Sequence, residues 1–315
     1  MTSTLVPARA RQSYRHEAYV WSGRDEYVAG LAPFVLEGLD GGEEVNVGAT
    51  PEHARWLRLA LGARSTEVRF VDMTRLARNP ARIIPSLLAL LAECCGPGRP
   101  ARAIGEPLWP GRGADEVVEA ELHEALLNLV VDPDLPFWLV CPYDADQLPG
   151  SVLDAAGSSH PVIATPTSYA GSATYRGHDQ AHALFGTDLP ELDVPETDVW
   201  VAGTTLDLAA EQVTLRAAAG DLTSDRVVAL SGVVRELVVD SVRRGADHAR
   251  VRVWDEPGRL VAEVFDRTLV KDLLVGRRPP SHGWTDPVWT ANQVCDLVQV
   301  RSNPRGTSVR LHLDK

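Results

Sequence analysis

The sequence predicts an α/β protein with two domains, and three observations lead to this prediction. The chain has 315 residues, which is more than one average domain usually holds. From residue 16 to about 166, short apolar segments alternate with helix-like segments, which is typical of a mostly parallel sheet with helices on both faces. From residue 198 onward, helical segments come first and strands follow, which indicates an α+β layer pair.

The first part of the chain is expected to alternate strands and helices. The strands are short apolar or alternating segments, and they span His16–Trp21, Glu44–Gly48, Glu67–Asp72, Arg102–Glu106 and Pro136–Cys141. The helix-like segments between and after them span Asp25–Leu39, Pro51–Leu61, Pro80–Cys95, Ala114–Val131 and Ala145–Ala156. Pro51 suits the first position of its helix, whereas Pro33 is expected to kink or restart the first helix. In a sheet of this kind, ligands gather at the carboxyl ends of the strands.

The middle of the chain changes in composition, because Ser, Thr, Gly, His and Pro dominate there and periodicity fades. We interpret residues 166–197 as a linker between domains at residues 1–165 and 198–315. The helices expected in the second domain span Leu206–Ala219, Thr223–Arg244 and Asp286–Leu297. The strands expected there span Arg250–Trp254, Leu260–Phe265, Val298–Arg301 and Ser308–Leu313. Thr223 begins a helix-capping segment, and Gly258 lies in the turn of the first hairpin.

Composition and charge exclude several classes of protein. The formal net charge is −12, and basic runs are short, so nucleic acid is not an expected partner. No run approaches the ~20 apolar residues that a membrane helix needs, and residues 1–15 lack the apolar core of a signal peptide. The spacing of the four cysteines fits neither a zinc site nor a disulfide framework. These features predict a soluble cytoplasmic protein.

Three segments of the second domain carry a resemblance to a known family. Residues 234–245 read VRELVVDSVRRG, residues 264–280 read VFDRTLVKDLLVGRRPP, and residues 289–311 begin with WTANQVCD. In this order they resemble the three boxes of the GHKL ATPases, and most closely the anti-sigma-factor serine kinases. The resemblance implies a two-layer α+β sandwich over the last 110 residues or so.

The resemblance also implies roles for acidic residues in the first two boxes. Glu236 matches the glutamate that activates a water or hydroxyl, and it is the candidate catalytic base. Asp240 stands where the family has a Mg²⁺-binding asparagine, and a carboxylate remains a competent Mg²⁺ ligand. Asp266 matches the residue that accepts the adenine amino group. Thr268 and Val270 replace glycines that let the backbone approach the nucleotide.

The third box has also lost features that the family uses to bind nucleotide. Thr285-Asp286-Pro287 stands where a glycine-rich turn offers amides to phosphate, but Pro287 has no amide and Asp286 repels phosphate. Gly276, Gly306 and Thr307 are retained, although turns need such residues in any case. We therefore expect no cofactor and a nucleotide site that is degenerate, with ATP and Mg²⁺ bound only if the alternative holds. That alternative is an active ATP-dependent serine/threonine kinase.

Polar and aromatic residues gather near the predicted strand ends of the first domain. They are Glu106, Trp109, Arg112, His123, Glu124, Asn128, Cys141, Tyr143, Asp144 and His160. Together with Pro33-Phe34, Val71-Asp72-Met73 and residues 79–83, this set resembles the MEDS sensory domain over residues 16–160. The resemblance implies a RecA-like fold without ATPase chemistry and a site that senses a small molecule.

Each candidate in that set also has a structural interpretation. His123, Glu124 and Asn128 share one helical face, and they form either a cluster that receives a ligand or metal or a buried network that joins helix to sheet. Cys141 is either a redox or metal-sensing thiol or a buried core residue. The sequence as a whole predicts a signalling regulator whose second domain binds a sigma factor or an anti-sigma-factor antagonist, with a homodimer as one arrangement.

Overall fold

The computed structural model describes residues 13–96, 99–202, 222–280 and 286–315. The chain divides into two compact units, residues 1–180 and residues 181–315. The first unit contains a seven-stranded sheet, and the second contains a separate five-stranded sheet. The predicted α/β class and the mostly parallel sheet are confirmed.

The sheet of the first unit consists of strands β1 to β7 in the order β3-β2-β4-β5-β1-β6-β7. Their bounds are β1 Arg15–Trp21, β2 Glu44–Ala49, β3 Arg69–Asp72, β4 Ala101–Gly105, β5 Phe137–Asp144, β6 Val162–Ala164 and β7 Tyr169–Gly171. The paired strands run parallel except for β7, which is antiparallel to β6. The helices are α1 Gly23–Asp40, α2 Pro51–Leu61, α3 Met73–Leu76, α4 Ile83–Cys94, α5 Ala114–Val130 and α6 Gly150–Ser159, and a further helix, α7 His178–Gly186, begins in the first unit and ends in the second. The chain moves along the sheet in one direction from β1 to β3 and in the other from β3 to β6, so right-handed crossovers place helices on both faces.

The two faces of this sheet are packed differently. On one face, alternate residues of β2 such as Val45 and Val47 are buried in a core with Trp21 and Tyr27. On the other face, small residues predominate at the centre of the sheet, and Gly48 and Gly105 have no side chain at all. Successive residues of a strand point to opposite faces, so this difference follows from the period-two pattern of β2 and β4.

Several helices of the first unit differ from the prediction. Helix α1 continues through Pro33 without interruption, so the predicted restart there is wrong. Helix α6 begins at Gly150 and not at Ala145. The Asp144 carboxylate accepts the Asp146 amide at 3.0 Å and the Gln147 side-chain amide at 2.7 Å, which holds the intervening residues in a turn. The interval 166–197, predicted to be a linker, contains strand β7 and helix α7.

The second unit contains strands β8 to β12 in the antiparallel order β11-β12-β10-β9-β8. Its elements are β8 Thr197–Ala202, α8 Ser224–Arg243, β9 His248–Glu256, β10 Arg259–Asp266, α9 Pro287–Val294, β11 Leu297–Asn303 and β12 Gly306–Asp314. Gly306 requires glycine, since its φ is +141° and a Cβ there would lie 2.1 Å from the Asp266 carbonyl oxygen. The helix predicted over residues 206–219 lies outside the described residues. No helix among the residues that the structure describes is long and apolar enough to cross a membrane.

Candidate functional site

An apolar cavity of about 440 Å³ lies between the sheet of the first unit and helices α4 and α5. Its floor is the sheet face where Gly48, Ala103 and Gly105 leave space above the backbone. Leu87 and Leu90 of α4 form part of the wall, and they are only partly buried although they are leucines of a strongly apolar helix. The volume falls in the range of roughly 300–1,000 Å³ that is typical of small-molecule sites.

The cavity has a rim and a polar inner wall. Arg69 and Glu93 border it from exposed positions, and their side chains form an ion pair of 3.4 Å. The buried residues His123, Glu124 and Cys141 contribute its polar inner surface. A molecule in the cavity would therefore contact mostly apolar side chains and one group of polar atoms.

Two of these polar residues belong to a compact buried cluster, which we call the His–Glu–Cys cluster. It consists of His16, Glu124, Cys141 and His160, which are 2%, 1%, 1% and 0% exposed. Each contributes one nitrogen, oxygen or sulfur atom to a group in which all four atoms lie within 4.8 Å of one another. Such a donor set can hold a metal ion in proteins.

The parallel pairing of β1 with β5 brings the cluster together. Ala18 is paired with Cys141, and because side chains alternate along a strand, His16 projects from the same face. Glu124 approaches this face from the middle of α5, and His160 from the residue that follows α6. Four elements far apart in sequence therefore contribute one side chain each.

Hydrogen bonds orient both imidazole rings of the cluster. His16 Nδ1 is 3.1 Å from Asn128 Oδ1, and the Asn128 amide group donates to the Ser159 carbonyl at 2.7 Å. His160 Nδ1 is 2.8 Å from the Ala156 carbonyl. The Nε2 atoms of the two rings are then directed to the Glu124 carboxylate, at 2.9 Å from His16 and 3.2 Å from His160.

Burial and mutual contact perturb the pKa values of these groups. Burial opposes ionisation of Glu124, but its close contacts with His16 and His160 outweigh this effect and lower the pKa of the carboxyl. Burial, and then the neighbouring His160, lower the pKa of His16. Burial and the Glu124 carboxylate raise the pKa of the Cys141 thiol well above its usual value.

Six of the ten residues predicted for ligand sensing lie at the cluster or the cavity. Glu124, Cys141 and His160 belong to the cluster. Asn128 bonds His16, and the Tyr143 ring packs edge-on against His160 with 5.6 Å between ring centroids. These contacts join α5 to the sheet. The sixth residue, His123, borders the cavity.

The other four predicted residues form hydrogen bonds or packing contacts outside the cluster. Glu106 bonds His53 Nδ1 at 2.6 Å and accepts the Thr50 amide at 3.0 Å, away from the cavity, and burial raises the pKa of its carboxyl. Trp109 packs on the small apolar group around α3. Arg112 stacks on Trp109 and donates to two carbonyl groups, which fixes the loop before α5. Burial lowers the pKa of Arg112 to about 10. Asp144 holds the turn described above.

Sequence reasoning did not identify His16. It lies in the first strand between the charged residues Arg15 and Glu17, and nothing close to it in sequence resembles a ligand motif. Its partners Glu124 and Asn128 are 108 and 112 residues away along the chain. A histidine in a strand of a parallel sheet, where both faces are buried, was the available signal.

In the second unit, an arginine joins two of the residues predicted to bind nucleotide. The Arg244 guanidinium forms ion pairs with both Asp240 and Asp266, and it donates to Thr268 Oγ1 at 3.0 Å. Asp266 is buried and also accepts the Thr268 amide at 2.7 Å. Glu236, the candidate base, is exposed on α8. Both carboxylates predicted to serve Mg²⁺ and adenine are therefore engaged with the protein.

The N-terminus of α9 is also occupied by a side chain of the protein. Asp286 caps this helix and accepts the amides of Val288 at 2.9 Å and Trp289 at 3.1 Å. Its second carboxylate oxygen lies 3.2 Å from the Gly276 amide. The amides that a phosphate would use at this helix end already have an anionic partner.

The remaining residues of the predicted nucleotide site pack inside the unit. Thr307 donates to the Thr268 carbonyl at 2.8 Å, and the Val270 amide donates to Ser302 Oγ at 2.9 Å. Gly276 has a φ of +68°, and a Cβ there would lie 2.3 Å from Val288 Cγ1. Glycine at this position is explained by close packing against α9. Thr285 lies outside the described residues.

Fold and geometry define the first unit as an α/β domain with an apolar cavity beside its sheet. Residues 15–161 match the model of the MEDS family, the methanogen/methylotroph DcmR sensory domain. This match includes β1 to β5 and the whole His–Glu–Cys cluster, and it indicates a signalling role for the chain.

Two further comparisons add little. No curated protein matches the chain. Among solved structures, the ATPase domain of another protein is similar at 11% identity and a TM-score of 0.32, over 49% of this chain and 69% of that chain. A similarity this weak supports no conclusion about function.

Proposed function

We propose that the chain is a signalling protein whose first unit binds a small apolar molecule in the cavity between the sheet and helices α4 and α5. The cavity itself carries this proposal, since its volume of about 440 Å³ and its mostly apolar lining are typical of a small-molecule site. The match of residues 15–161 to a sensory family supports the same function.

The lining indicates the chemistry of the ligand. Leu87, Leu90 and Leu127 offer an apolar surface, and His123 and Glu124 offer polar atoms at one side. A short hydrocarbon chain or ring with one polar group would satisfy both parts of the cavity. Charged ligands are disfavoured because an ion inside an apolar site loses its hydration.

Thermal unfolding of the full chain with straight-chain alcohols of increasing length tests the proposal. We expect the unfolding temperature to rise with chain length until the alcohol fills the cavity, and to fall beyond that length. The matched control is Ala103→Leu, which should shift the optimum to a shorter alcohol. Equal responses of the wild type and the variant to every alcohol would contradict a site in this cavity.

We propose that the second unit transmits the signal by binding a protein, either a sigma factor or an anti-sigma-factor antagonist. The order of its three boxes supports an anti-sigma-factor-like GHKL domain. The pairing of Arg244 with Asp240 and Asp266, and the capping of α9 by Asp286, favour a degenerate nucleotide site over an active kinase. The four free cysteines fit a reducing compartment such as the cytoplasm.

Calorimetric titration of the full chain with Mg·ATP separates the two interpretations of the second unit. Each lost charge-assisted contact to phosphate weakens binding by roughly 1.5–3 kcal/mol, and ~1.4 kcal/mol is tenfold in affinity. We therefore expect no binding at micromolar nucleotide. A micromolar dissociation constant would support the active-kinase alternative.

Crosslinking in the native host, followed by identification of the captured partner, tests the protein-binding role of the second unit. Capture of neither a sigma factor nor an anti-sigma-factor antagonist would contradict this role.

A further inference from the structure

We propose that the His–Glu–Cys cluster binds one transition-metal ion that favours tetrahedral nitrogen, sulfur and oxygen ligands, with Zn²⁺ as the representative ion. The ligand atoms would be His16 Nε2, His160 Nε2, Cys141 Sγ and a carboxylate oxygen of Glu124. This site shares Glu124 and Cys141 with the wall of the ligand cavity, but the proposal does not require the cavity to bind an apolar molecule.

The hydrogen bonds of His16 are the first argument. The Asn128 amide group donates to the Ser159 carbonyl, so its oxygen is the atom that faces His16 Nδ1. Nδ1 must therefore carry the proton of a neutral imidazole, and Nε2 presents a lone pair. That lone pair is 2.9 Å from a carboxylate oxygen of Glu124. Two acceptors at this distance repel each other unless a cation or a second proton lies between them.

His160 repeats the same arrangement independently. Its Nδ1 is 2.8 Å from the Ala156 carbonyl, which can only accept, so the proton again lies on Nδ1. Its Nε2 lies 3.2 Å from the same Glu124 oxygen. A metal-binding histidine usually donates its other ring N–H to a carbonyl or another oxygen acceptor, which fixes the ring and its tautomer. Both histidines of the cluster have this supporting contact.

Distances in the cluster fit a shared ion. Typical Zn–N, Zn–O and Zn–S lengths of about 2.0–2.3 Å place neighbouring ligand atoms of a tetrahedral site about 3.3–3.7 Å apart. The closest atom pairs measured here are 2.9 Å, 3.2 Å and, between Cys141 Sγ and His16 Nε2, 3.5 Å. The other carboxylate oxygen of Glu124 is buried and accepts no hydrogen bond from the described residues. Small side-chain adjustments would bring all four groups onto one ion.

Charge and burial favour the same conclusion. Two neutral imidazoles, one carboxylate and one thiolate carry two negative charges, which a divalent cation neutralises. A fully buried group of this kind is stable only when its charge is balanced and its polar atoms are satisfied. Binding of the ion requires the Cys141 thiol to release its proton to solvent, and the S–H bond is replaced by a metal–sulfur bond.

Within the described part of the chain, a second buried histidine–carboxylate pair in the same unit lacks the additional histidine and cysteine that the His–Glu–Cys cluster contains. His53 and Glu106 are in contact at 2.6 Å in the same unit, and both are buried. Among the described residues, neither a second histidine nor a cysteine joins them in a group that could hold a metal. This pair is a matched control for a metal site, since it retains the histidine–carboxylate contact but not the four-atom donor set.

Titration of the metal-free full chain with Co²⁺ tests the proposal, because Co²⁺ replaces Zn²⁺ and gives visible d–d bands together with a near-ultraviolet thiolate band. We expect saturation at one equivalent, release by Zn²⁺, and an intense d–d spectrum of tetrahedral type. A folded wild-type chain that shows no saturable spectrum at one equivalent would overturn the proposal. This outcome does not depend on any variant.

Variants then assign the ligands. Cys141→Ser should lose the thiolate band, whereas Cys95→Ser and His53→Gln should keep it. Asn128→Ala, which removes the partner of His16 Nδ1, should lower the Zn²⁺ affinity about 10–100-fold. If Cys141→Ser does not fold, X-ray absorption of the zinc-loaded wild type decides, because the proposal requires one sulfur among the ligands. Retention of the thiolate band by Cys141→Ser, or a sulfur-free ligand shell, would contradict it.

Discussion

Replacement of Ala103 by leucine tests the free space in the cavity, because the sign of the stability change depends on whether the larger side chain fits there. Ala103 is 5% exposed and lies on the cavity floor. Leucine adds three carbons, and each buried methylene contributes about 0.8 kcal/mol. Ordering the longer side chain costs about 0.5–1 kcal/mol. We therefore expect Ala103→Leu to stabilise the first unit by about 1–2 kcal/mol, which raises its unfolding temperature by roughly 2–8 °C.

Ala49→Leu is the matched control for this variant. Ala49 is buried in β2 on the opposite, packed face of the sheet. The same three carbons have no space there, and overpacking typically costs about 1–3 kcal/mol. Differential scanning calorimetry of the ligand-free chain measures both variants. If Ala103→Leu is destabilised to the same extent as Ala49→Leu, the space beside Ala103 is filled, and the claim of an open cavity there is refuted.

Three other variants test the electrostatic account. Glu263→Gln leaves Arg252 and Arg310 without their shared carboxylate, which they contact at 2.5 Å and 2.8 Å. Urea unfolding should show that the free energy of unfolding falls by about 3–5 kcal/mol. A decrease below about 1 kcal/mol would contradict a buried charge network. Burial raises the pKa of Glu121 to about 7, so its ionisation at about pH 8 costs folding free energy that is absent near pH 4. Glu121→Gln should therefore unfold at a higher temperature than the wild type at pH 8 and at a similar temperature at pH 4, and an equal difference at both values would disprove the shift. Asp286→Ala removes the cap of α9 and should destabilise the second unit by about 0.5–2 kcal/mol, and unchanged stability would show that the cap contributes nothing.

Long periodic segments allowed most of the fold to be predicted. Helix α2 was predicted at Pro51–Leu61 and is found there, and α8 differs by one residue at each end from the predicted helix. Strands β6 and β7 were not predicted, since each has three residues and neither shows a buried alternation. Their place in the sheet depends on the pairing of β6 with β1 and of β7 with β6, which local sequence does not reveal.

The candidate site was predicted in part for a related reason. Strand ends and polar helix faces indicated Glu124, Cys141 and His160, because such positions often meet at one edge of a parallel sheet. They did not indicate which polar groups would instead pair locally, as Glu106 does with His53. The cavity arises because glycines and alanines on one sheet face lie opposite helix α4. Small residues of this kind form no recognisable motif, so the sequence did not predict the position of the cavity.

Methyl NMR spectra of the full chain, with and without a saturating short-chain alcohol, test most directly whether the first unit is a ligand-binding sensor. We expect shifts at the methyl groups of Leu87, Leu90 and Leu127, which line the cavity. We expect no shift at Leu31 or Leu57, which are buried in the core on the other face of the sheet. Unchanged spectra at saturation, or equal shifts on both faces, would contradict ligand binding in this cavity.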